Sequence, residues 1–118
     1  MRTKAPLLAL ATLALATAPV QAHHGWSGYD SSQLVTLAGT VQSFTFTSPH
    51  ALLMLQVSDG KVWEIVLAPP SRMTRRGLPD GSIKTGDGVT VAGYPHRTHP
   101  DEFRAERIMV AGNTVELR

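Results

Sequence analysis

The order of segments after residue 33 constrains this chain most. Three strand-like runs come first, then one short helical stretch opened by Pro69-Pro70 and closed by Gly77, then two more strand-like runs. Residues 34–46 (LVTLAGTVQSFTF) are rich in Val, Thr and Phe with partial alternation, which predicts a long strand. Gly39 is expected to mark a bend or bulge in it. Residues 51–57 predict a second strand and Ser58-Asp59-Gly60 a tight hairpin turn. Residues 61–67 predict a third, with Val62, Glu64 and Val66 facing away from Trp63, Ile65 and Leu67. The stretch RMTRRG predicts one or two helical turns, with Pro70 or Ser71 at the start and Gly77 just past the end. Residues 89–94 and 104–110 read as strands four and five, and 114–117 as a short terminal strand. An all-β, five-stranded OB-type barrel with its helix between strands three and four has this order. A small open β-sandwich is the alternative. Closing the sheet would remove its edges, which suits a small domain.

Ahead of this domain lies a stretch with the pattern of a secretory signal. Arg2 and Lys4 form a basic start, residues 5–20 a short apolar run rich in Ala and Leu, and Val20-Gln21-Ala22 a small-x-small cleavage site. Cleavage after Ala22 would leave one domain, residues 23–118, in the periplasm or secreted. The apolar run is shorter than the about 20 residues a membrane span needs, so no stable membrane insertion is expected after cleavage. With no cysteine in the chain, disulfides and thiolate metal sites are excluded, and the domain must rely on packing. Nine basic and nine acidic residues remain once Arg2 and Lys4 leave, so no general attraction for nucleic acid or anionic lipid is implied.

Several pieces together resemble a family of small exported bacterial proteins of uncharacterised function. They are Ala22-His23-His24 at the mature start, Asp30 a few residues on, and a strand of the type VTLxGTV at 35–41. Ser48-Pro49-His50 follows, with Ser48 where Asn is commoner. Then come the Trp-containing strand at 63–67, the Pro-Ser/Arg-Arg-Gly helix at 70–77, and a G-D-x-V-T-V-x-G-Y strand at 86–94. The resemblance spans nearly the whole mature chain. It implies an exported β-barrel-like domain and supplies no established activity.

The residues themselves point first to metal. A mature chain beginning at His23 would present an α-amine and the imidazoles of His23 and His24 together, a nitrogen set that suits copper, nickel and zinc. His50, fixed behind Pro49, is the expected third imidazole. Copper is the favoured ion, because it heads the divalent affinity order and accepts planar nitrogen geometry. Mature position three is Gly25, so this is not the amino-terminal copper/nickel motif with histidine there. A second, weaker candidate is His96 with His99, an i, i+3 pair joined by Asp101 or Glu102 as oxygen ligand. Met54 and Met109 read as core, and Met73 as packed against the barrel. Arg72, Arg75 and Arg76 share a helical face and form a candidate anion site. Their alternative is a solvated face paired with Asp80, Glu64 or Glu106.

No phosphate loop, H-E-x-x-H or recognisable nucleophile motif is present, so no enzyme is expected, apart from a minor copper-brace variant. The leading expectation is an exported copper-binding protein acting in sequestration or delivery. The other is a metal-free OB-type module for a small ligand, a glycan or an envelope protein.

Overall fold

The computed structural model describes residues 2–4 and 25–118. It contains the strands β1 (Val35–Thr45), β2 (Leu52–Val57) and β3 (Val62–Val66), the helix α1 (Pro70–Arg75), and the strands β4 (Gly88–Pro95), β5 (Glu102–Val110) and β6 (Asn113–Glu116). Consecutive strands β1, β2 and β3 pair antiparallel, β4 pairs with both β1 and β5, and β3 pairs parallel with β5. That last pairing, Glu64 to Arg104 through Glu64↔Glu102 and Val66↔Arg104, closes a five-stranded OB-type barrel. β6 extends β5 as a hairpin outside the closed ring.

Alternation fills the barrel. Leu53 and Leu55 on β2, Ile65 on β3, Val89 and Val91 on β4, and Phe103, Ala105 and Ile108 on β5 are buried in one cluster. Trp63 packs its ring edge against Phe103, with centroids 5.9 Å apart, and carries Lys61 over its outer face at 3.6 Å. The helix begins at Pro70, where a missing N–H costs nothing. It ends in a Schellman motif: the Gly77 N–H donates to the Thr74 carbonyl and the Leu78 N–H to that of Met73, with Gly77 at φ +91°. Between those ends Met73 is fully buried in the barrel core.

Two expectations are corrected. The irregularity in β1 falls between Val41 and Ser43, not at Gly39, which stays paired with Val57. Gly39 serves close approach instead: a Cβ there would stand 2.3 Å from the Gln56 carbonyl oxygen. Met109 is 39% exposed, because it alternates with buried Ile108 and so faces outward, and Met54 is only half-buried.

Candidate functional site

The loop joining β1 to β2 (residues 46–51) and the loop joining β4 to β5 (residues 96–101) flank one cavity. OB barrels commonly bind ligands with these two loops. The cavity has a volume of about 220 Å³. Thr47, Ser48, Pro49 and His50 line it from the first loop, and His96, His99 and Glu102 from the second side. Leu52 and Val66 form the strand wall, and Gly25, Gly28 and Tyr29 of the arm before β1 complete it.

On the β4–β5 side, His96, His99 and Glu102 bring one ligand atom each within 4.8 Å of one another. His96 Nε2 is 3.7 Å from Glu102 Oε2, and His99 Nδ1 is 3.6 Å from Glu102 Oε1. The two imidazoles stack, with centroids 4.3 Å apart and planes at 23°. Backbone geometry produces this group. The His96 N–H donates to the Glu102 carbonyl and the Glu102 N–H to that of His99, so the loop folds back on itself. Lys61 anchors its base, donating to the Pro100 carbonyl at 2.8 Å and pairing with Asp101 at 3.7 Å. Asp101 is thereby turned to Lys61, and Glu102 is the carboxylate that joins the histidines.

The ring of His96 is held in one orientation. Its Nδ1 accepts the backbone N–H groups of Thr98 and His99, both at 3.1 Å. A neutral ring in that arrangement carries its proton on Nε2, the nitrogen turned toward Glu102. Gly28 lies directly over this nitrogen: a Cβ at residue 28 would stand 3.0 Å from it. The arm is pinned there by the Tyr29↔His96 bridge and by the Arg97 N–H donating to the Gly28 carbonyl.

Tyr29 is the support of the carboxylate. It is 3% exposed, and its hydroxyl donates to Glu102 Oε2 at 2.6 Å. Burial, and then that hydrogen bond to Glu102, push its phenol well above the ordinary value, so it remains a donor. Asp30, the neighbouring residue of the resemblance, makes a local turn, accepting from the Ser32 hydroxyl and N–H. Those bonds hold its carboxyl below the usual carboxylate range.

Across the cavity, His50 Nε2 accepts from Arg104 Nη2 at 3.2 Å, since a guanidinium only donates. Arg104 is 6% exposed, donates to the Gly25 carbonyl, and lies 4.3 Å from the centre of the Trp26 ring. Burial draws its pKa downward. Arg118 covers Trp26 as well, at 4.6 Å.

The two histidine candidates of the sequence thus share one cavity, with His50 on one side and His96 and His99 on the other. His23 and His24 lie outside the described residues, as does residue 5–22 of the expected signal. The arginine face is differently engaged: Arg72 donates to the Leu117 carbonyl and Arg76 to that of Glu116, while Arg75 is exposed. Backbone carbonyls take the place of the expected carboxylate partners, and Glu106 pairs with Arg118. Tyr29, Gly28 and Arg104 were not singled out by the sequence. The aromatic arm and an arginine inside a buried strand run were the available signals.

Among the described residues, no helix is long and apolar enough to cross a membrane. A model of a family of unknown function (DUF6152) matches residues 9–102, a span that holds every histidine of the chain and Glu102. No curated protein matches the chain.

Proposed function

Because the chain belongs to DUF6152, a family of unknown function, its own residues must carry the assignment, and we propose that it is an exported metal-binding protein. Copper(II) is the favoured ion. One observation carries the reading: two imidazoles and a carboxylate converge within 4.8 Å on the wall of a cavity at the OB ligand face. Imidazole suits copper, zinc and nickel alike. The His96 geometry favours copper, because an ion at Nε2 must displace the proton held there, and copper(II) heads the divalent order. Tyr29 then acts behind the ligands, orienting Glu102.

The arm supplies further donors in this reading. Gly25 lines the cavity, and two residues reach at most about 7 Å, so His23 and His24 start from its edge. With a leader that directs export and no recognised catalytic motif, the role is sequestration or delivery rather than turnover.

The test is copper(II) titration of leader-free protein, its amino terminus verified by mass spectrometry, followed by electron paramagnetic resonance. One type-2 signal with nitrogen splitting is expected. His96→Ala and His99→Ala should each alter it, and Arg75→Ala should not. One alanine added ahead of His23 reads the contribution of the arm. A signal of adventitious copper, indifferent to both histidine variants, would end this reading.

Tyr29→Phe gives a finer prediction. Losing an outer partner of a ligand should weaken copper affinity about 10-fold or more. The fold should lose only about 1 kcal/mol, the ordinary worth of one hydrogen bond. Competition titration and urea unfolding check the two parts separately, and unchanged copper affinity would remove Tyr29 from the metal site.

A further inference from the structure

The cavity is larger than an ion needs, and its surface changes character with depth. Donor atoms of His96, His99 and Glu102 stand on one side, while Leu52, Val66 and Pro49 give it an apolar wall. Three protein ligands are the pattern of metal sites that keep a position open for water or an exogenous ligand. An ion bound by these three would lie on the cavity wall, so a position left open toward the cavity faces apolar surface. The volume, about 220 Å³, lies below the roughly 300–1,000 Å³ of drug-sized pockets, which limits the occupant to one ring with a small substituent.

The charges select the head group. Glu102 is already held by Tyr29 and sits at the open end, so a second carboxylate would meet like charge. A neutral nitrogen donor meets no such penalty, and nitrogen is the donor copper prefers. We propose that the site is ternary, with copper at His96, His99 and Glu102 accepting a neutral, single-ring nitrogen heterocycle whose apolar substituent rests on Leu52 and Val66. This rests on the metal-binding reading above. Binding is ligand exchange: the heterocycle nitrogen replaces a metal-bound water, and no redox or group transfer is involved.

The probes are imidazole and 4-phenylimidazole, which offer the same donor with and without an apolar ring. Leader-free protein is loaded with one equivalent of copper(II), its resonance signal is recorded, and each azole is titrated in. The expected result is at least about tenfold tighter binding of 4-phenylimidazole, with one nitrogen added to the splitting. Leu52→Ala should reduce that preference to about threefold or less and leave copper affinity unchanged. Val66→Thr, which keeps the shape of the strand, should reduce it too. Equal affinity for the two azoles, or a preference that neither variant touches, overturns the ternary site while copper binding stands. If copper itself does not bind, both readings fall.

Discussion

Replacing Gly93 by alanine is expected to leave little folded protein. Gly93 pairs with Ala105 where the β4–β5 register shifts, and a Cβ there would stand 2.0 Å from the Arg104 carbonyl oxygen. The next neighbours are also backbone, Ala105 Cα and the Arg104 carbonyl carbon, both at 2.8 Å. No side chain can rotate aside to make room. Relief requires parting β4 from β5, and β5 also closes the barrel on β3. Overpacking typically costs 1–3 kcal/mol, and a clash confined to backbone belongs at or above the upper end, about 3 kcal/mol. A domain of this size has only about 5–15 kcal/mol in total. Urea unfolding should show a markedly lower midpoint, or the protein should be recovered insoluble. A midpoint like that of the parent would mean the strands part more easily than the close approach implies.

The second large effect concerns Glu102, where two roles meet in one carboxylate. Glu102→Ala should lower copper affinity about 100-fold, the upper range seen when support or ligation at a metal site is lost. It should also strand the buried Tyr29 hydroxyl, at a cost of about 1–3 kcal/mol. Glu102→Gln separates the roles. Its amide oxygen still accepts from Tyr29, so stability should stay near that of the parent, while a neutral amide is a poor metal ligand and copper affinity should still fall. Competition titration and thermal unfolding of the pair decide the matter. If Gln restores copper affinity along with stability, the carboxylate is an anchor for the arm and not a ligand.

Strand order was legible because Gly and Pro punctuate this chain sharply. Gly60 and Gly77 stand at φ +90° and +91°, which a sequence reader can anticipate from the turn and the helix end. Barrel closure was only inferred from element order, since the parallel β3–β5 contact joins Glu64 to Glu102 across 38 positions with no local trace. The role of Gly39 was misread for a related reason: a glycine that admits a neighbouring carbonyl and one that marks a bulge look alike in sequence. The site was half legible. His50, His96 and His99 were visible, but their meeting at one cavity depends on two loops at the same end of a barrel. Tyr29 reaches Glu102 over 73 positions, and nothing in its local pattern distinguishes it from any aromatic in a polar arm.

The arm that covers the cavity also carries one of the two tryptophans. Trp26 lies between the guanidinium groups of Arg104 and Arg118, with Tyr94 at its edge, three residues before the tyrosine that holds Glu102. Its Arg104 neighbour is the one that donates to His50. The indole is therefore a native fluorophore wired to both sides of the cavity, and its emission gives the arm an optical readout that needs no attached dye.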